Sequence, residues 1–95
     1  MLIIVAYDIE TKTAAGKNRL LKVAKECLKW GARIQDSVFE CELNASQFRE
    51  FYSKLAELID AETDSVRFYS LGNRYKEHIF LIGSDPSPFT SGFVL

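Results

Sequence analysis

The sequence predicts an α+β domain in which the elements run β-α-β-β-α-β, with one further strand near the C-terminus. Three observations carry this. A short β-branched apolar run spans residues 2–7, two segments of helical period span residues 15–30 and 44–59, and residues 37–43 alternate with a period of two. The chain has 95 residues, 47% hydrophobic and 26% charged, which fits one globular domain with a packed core. Its longest apolar run is far shorter than the roughly 20 residues a membrane span needs. Met1 enters that run with no basic segment before it, so the start reads as a strand and not as a signal peptide. Two cysteines, Cys27 and Cys41, are too few to frame a secreted disulfide domain, and the cytoplasm is the expected compartment.

Leu2–Tyr7 has the unbroken apolar character of a central strand buried on both faces. A polar connection from Tyr7 to Thr13 follows. In the first helix, Leu20, Ala24, Cys27 and Gly31 follow a helical stripe, with Thr13 placed to cap its start and Gly31 its end. Ala32–Gln35 is a short strand, Asp36 a tight turn and Ser37–Leu43 a half-buried strand with Phe39, Cys41 and Leu43 on one face. Asn44 or Ser46 caps the second helix, whose stripe of Phe48, Phe51, Tyr52, Leu55, Leu58 and Ile59 is the strongest helical signal in the chain. An acidic turn at residues 60–64 leads to a strand at Ser65–Leu71, ended by Gly72 and Asn73. His78–Ile82 is read as the further strand. Gly83–Ser91, with Pro86 and Pro88, reads as a linker before the apolar Phe93–Leu95.

This order is the split βαβ, or ferredoxin-like, arrangement, with both helices on one face of an antiparallel sheet. Residues 1–83 form the domain and residues 84–95 a tail. The helices cover one face of the first strand, yet both its faces are apolar. A two-fold dimer with the sheets facing each other would cover the second, and the tail would pack on the partner protomer.

The net charge of −1 hides a segregation: residues 1–33 carry +4, residues 34–64 carry −6 and residues 65–95 carry +1. Net charge therefore gives no general affinity for nucleic acid, but a local basic face is open to the first helix. Arg19, Lys22, Lys25 and Lys29 lie on that helix and Arg33 on the next strand. They form either a solvated surface or a ridge that contacts phosphates, and the guanidinium groups can bind phosphate in bidentate fashion. Arg74-Tyr75-Lys76 is either an exposed turn or a small stacking and phosphate contact. Phe39 is most economically a core residue.

Asp8 is the candidate for chemistry. It closes a buried strand and opens the first loop, where a carboxylate is held rigidly and left accessible; the alternative is a turn cap. One carboxylate is a weak Mg²⁺ site, and a two-fold dimer would bring a second Asp8. No other self-sufficient catalytic set is present. His78 is the one histidine, and there is no phosphate-binding glycine loop and no Cys-x-x-Cys pair.

Several segments together carry a family resemblance: Tyr7-Asp8 closing the first strand, Arg19, the run Arg33-Ile34-Gln35-Asp36-Ser37-Val38-Phe39-Glu40-Cys41, and the run Asp64-Ser65-Val66-Arg67-Phe68-Tyr69-Ser70-Leu71-Gly72. Over about residues 1–83 the chain resembles the CRISPR-associated protein two family, the small endonucleases of CRISPR adaptation. The resemblance implies a ferredoxin-like homodimer and Mg²⁺- or Mn²⁺-dependent hydrolysis of phosphodiesters in RNA or double-stranded DNA. It also implies a partnership with the CRISPR integrase, whose dimers it bridges during spacer acquisition. By the same resemblance Asp8 is the catalytic and metal-binding residue, and Arg19, Arg33 and Phe39 lie near that site or on its nucleic-acid face. A non-catalytic, DNA-binding adaptor of the integrase is the alternative. A small-molecule regulatory domain of this fold would need a glycine-rich ligand loop, and an RNA-recognition module would need aromatic residues in a Gly-Phe run on its sheet; the sequence has neither.

Overall fold

The structure is a computed structural model and describes residues 1–89. The elements are β1 (Leu2–Asp8), α1 (Ala14–Trp30), β2 (Ala32–Gln35), β3 (Val38–Glu42), α2 (Ala45–Leu58) and β4 (Ser65–Gly72), followed by a 3₁₀ turn at Tyr75–His78. The four strands form one sheet in the order β2-β3-β1-β4, with every neighbour antiparallel. The expected ferredoxin-like α+β arrangement is therefore present, with β1 at the centre between β3 and β4.

The helix ends follow from local chemistry. The Thr13 side chain accepts from the Gly16 N–H at 3.0 Å, and Asn44 makes a reciprocal capping box with Gln47, which settles the start of α2 on Asn44. Gly31 caps α1 in an extended conformation open to any residue. Glycine is needed there for space, since a Cβ would lie 2.2 Å from the Glu40 carbonyl oxygen.

Side chains alternate along β1, so Ile3, Val5 and Tyr7 enter the helix-covered core with Phe39, Cys41, Val23, Cys27, Phe51 and Leu55. Aromatic edges interlock there: Phe68 of β4 meets Phe48 and Phe51 at centroid distances of 5.4 and 5.8 Å. Burial, and then the neighbouring Cys41, pushes the Cys27 thiol up to about 12. Burial, and then Glu40, does the same to Cys41, so both act as small core hydrophobes. Ile4, Ala6 and Asp8 point to the opposite face of the sheet, where Ile4 and Ala6 are half-buried and Asp8 is exposed.

The further strand expected at His78–Ile82 is not formed. Gly72 turns the chain at φ +71°, and Arg74 Nη2 binds Glu77 Oε1 at 2.6 Å across the 3₁₀ turn. Residues 79–82 then run without ladder hydrogen bonds, with Phe80 and Ile82 exposed. A strand exists only against a partner edge, and residues 79–82 pair with none of the four strands of this chain. Residues 84–89 are irregular, as expected of a linker, and the apolar end Phe93–Leu95 lies outside the described residues. No helix among the described residues is long and apolar enough to cross a membrane.

Candidate metal and nucleic-acid site

Asp8 is the last residue of β1 and pairs with Ser65, the first residue of β4. Because Tyr7 is committed to the core, the alternation of the strand turns Asp8 to the helix-free face. It lies there in a shallow depression lined by Ala6, Tyr7, Asp8, Ser65 and Arg67. Arg67 stands opposite Ala6 and is exposed, with its Nη1 3.5 Å from the Tyr69 hydroxyl. The site therefore joins one accessible carboxylate, one guanidinium and a serine on a rigid ladder.

The other expected site residues are placed differently. Arg33 lies over the Phe39 ring, with its Cζ 5.2 Å from the centroid. Phe39 is fully buried and stacks on Tyr7 at 6.1 Å. It offers nucleic acid no surface in this chain and serves as the floor under Arg33. The Tyr7 hydroxyl donates to the Asp36 carbonyl at 3.1 Å, and burial of the phenol raises its pKa against the opposing influence of Arg33. Arg33, Phe39 and Tyr7 thus form one group on the helix-side face, across the sheet from the Asp8 carboxylate.

Arg19 is drawn inward. Its Nε donates to Asp64 Oδ2 at 2.8 Å, its Nη2 donates to Thr63 Oγ1 at 3.4 Å, and Nη2 lies 3.7 Å from Glu10 Oε2. The Asp64 side chain is fully buried, and its carboxylate also accepts from the Glu10 and Asp60 backbone N–H groups, each at 2.9 Å, and from the Thr63 hydroxyl at 3.2 Å. Burial alone would raise the pKa of Asp64. Arg19 and the three other donors outweigh it and hold the carboxyl well below the usual range.

Lys22, Lys25 and Lys29 share a groove with Glu26, Lys54 and Leu58 on the helical layer, and Lys29 is paired with Glu26 at 3.4 Å. In the Arg74-Tyr75-Lys76 segment, Arg74 is engaged by Glu77. Desolvation, and then the Glu42 carboxylate, raises the pKa of the Tyr75 phenol.

Among the described residues no three His, Cys, Asp or Glu side chains converge as a metal cage. Asp8 suits Mg²⁺ in a narrower sense: the ion takes one or two carboxylates, keeps several waters and binds phosphate oxygens. One chain supplies one such carboxylate, exposed on a face where a second copy could add another.

Sequence reasoning gave Asp64 and Arg67 no role. Arg67 was within reach, because the alternation of β4 sets Ser65, Arg67 and Tyr69 on the face of Asp8. Asp64 carries no local mark, since its burial depends on partners up to 54 positions away.

The family described as CRISPR associated protein Cas2 matches residues 1–79. A CRISPR-associated endonuclease Cas2 from Halalkalibacterium halodurans is 46% identical over 87 residues, covering 92% of this chain and 91% of that protein. A CRISPR-associated endoribonuclease Cas2 from Moorella thermoacetica is 46% identical over 79 residues, covering 83% and 82%. The crystal structure of Streptococcus pyogenes Cas2 at pH 6.5 superposes with a TM-score of 0.75 at 42% identity, covering 87% of this chain and all of that one.

Proposed function

The chain belongs to the CRISPR associated protein Cas2 family, and from that premise we propose that it is a divalent-metal-dependent endonuclease of CRISPR adaptation, centred on Asp8. The observation that carries this is the placement of Asp8: exposed at the rigid end of the central strand, on the helix-free face, with Arg67 in the same depression. The substrates are RNA or double-stranded DNA, the compartment is the cytoplasm and the integrase of CRISPR adaptation is the partner.

The active form is a homodimer with helix-free faces opposed, and each protomer contributes its Asp8. Asp8 from each protomer would hold Mg²⁺, or Mn²⁺ in its place, which would supply charge neutralisation at the phosphate and acidification of water. The protein's own work is positional. Asp8 fixes the charge centre, and Arg67 draws a phosphate oxygen toward it and stabilises the negative charge that develops during attack. Arg33, on the helix-side face, is a more distant phosphate contact along the nucleic acid.

A cleavage assay on single-stranded RNA and double-stranded DNA, with Mg²⁺ or EDTA, tests this. The wild-type dimer cleaves only with the metal, and an Asp8→Asn dimer loses cleavage by about a hundredfold or more, a fall of ~2.7 kcal/mol in transition-state stabilisation. Equal cleavage by Asp8→Asn overturns the assignment. Loss of all cleavage in the wild type, with nucleic-acid binding retained, favours the adaptor reading instead.

A further inference from the structure

We propose that Asp64 and Arg19 act as a positioning pair that fixes the backbone on which Asp8 is presented. The inference rests on the reading of Asp8 given above and adds the residues that hold it. Asp8 has two backbone neighbourhoods, and Asp64 controls both. Along the chain, Asp64 Oδ1 accepts the N–H of Glu10, two residues beyond Asp8. Across the ladder, Asp64 immediately precedes Ser65, the residue paired with Asp8. One buried carboxylate therefore ties the start of the β1–α1 loop to the start of β4.

Arg19 makes that carboxylate tenable. A buried, ionised acid is costly unless it is paired and hydrogen-bonded, and Asp64 has a cation at 2.8 Å and three further donors. The pair also closes the loop from the other side. Glu10 Oε1 accepts the Thr13 N–H at 3.0 Å, Glu10 Oε2 accepts the Thr13 hydroxyl at 3.0 Å, and the same Oε2 lies 3.7 Å from Arg19. Asp60 N–H, held by Asp64 Oδ2, brings the end of α2 into the knot. Arg19 thus belongs to the site through Asp64 and is a positioning residue, with its guanidinium turned to carboxylates inside the fold.

The geometry sets the substitutions. Asp64→Asn keeps one acceptor oxygen and places an NH₂ where the second oxygen met at least two donors, which are left facing a further donor. Arg19→Ala removes the cation, and Arg19→Lys restores the charge without the fork. The readout is amide hydrogen exchange on the ¹⁵N-labelled full chain, together with Mn²⁺ affinity of the same proteins.

In Asp64→Asn, exchange at Glu10 rises about tenfold or more beyond whatever rise Val5, in mid-strand, shows from lost global stability. Mn²⁺ affinity falls about tenfold or more, as it does when groups that orient a ligand are removed. Arg19→Ala gives the same pattern and decides the matter should Asp64→Asn fail to fold; Arg19→Lys recovers part of both losses. Wild-type exchange at Glu10 together with wild-type Mn²⁺ affinity in folded Asp64→Asn or Arg19→Ala overturns the proposal. Equal acceleration at Glu10 and Val5 also overturns it, because that is general destabilisation. An Asp8→Asn control separates the two claims: if it leaves Mn²⁺ binding unchanged, the metal reading of Asp8 fails, and exchange at Glu10 still decides the tether.

Discussion

Arg67 and Asp64 show how differently two charged residues next to one site are used. Arg67 is exposed and weakly engaged, so its charge is available to a phosphate. Arg67→Ala is expected to weaken nucleic-acid binding at low salt and to reduce the slope of log affinity against log salt by about one, read by fluorescence anisotropy across a salt series. An unchanged slope would remove Arg67 from the binding surface. Asp64 is buried and fully engaged, and its carboxyl is held below the ordinary range. A depressed carboxyl stabilises the fold above the unfolded pKa of about 4, and this contribution is lost as pH falls through the lower folded value. Melting temperature should therefore drop on acidification below about pH 4 in the wild type, and drop less steeply in Asp64→Asn. The Arg67 side of the sheet is legible from strand alternation, but the pairing of Asp64 is not: Arg19 and Asp64 are 45 positions apart, and helical spacing alone shows Arg19 as another member of a basic face.

At the scale of elements, what is local was legible. Thr13 and Asn44 cap their helices because short polar side chains meet free backbone N–H groups one turn on, a rule that needs no tertiary information. The strand expected at Ser65–Leu71, ended by Gly72 and Asn73, is β4. His78–Ile82 has the apolar content of a strand and forms none, because strand formation depends on an edge that sequence does not display. Gly16 carries no local mark in the sequence, yet it seats α1 against the Asp8 loop: a Cβ there would lie 1.9 Å from the Glu10 carbonyl oxygen and 2.7 Å from Glu10 Oε2. Gly16→Ala should cost about 1–3 kcal/mol by overcrowding, read by urea denaturation. It should also accelerate exchange at Glu10, since the crowded atom is that residue's own carbonyl. A neutral Gly16→Ala would show that the first turn of α1 moves freely against the loop.

For the whole molecule, the sheet divides the labour. One face carries two helices, the aromatic core and the Arg33–Phe39–Tyr7 stack; the other carries Asp8, Arg67 and Tyr69 on bare strands. The architecture and the position of Asp8 followed from periodicity and from family resemblance, because both are written in contiguous residues. The division of the expected site residues between two faces was not, because it depends on strand register: Phe39 pairs with Val5, one residue out of phase with the Asp8 face. The depression at the end of β1 holds one carboxylate per chain, Asp8, so a centre with two carboxylates asks for a second chain, and stoichiometry tests it directly. Isothermal titration of the purified protein with Mn²⁺ should give one ion per two chains, as the proposed shared centre requires, with binding abolished by Asp8→Asn. One ion per chain, or binding indifferent to Asp8→Asn, would contradict a centre shared between two copies of Asp8.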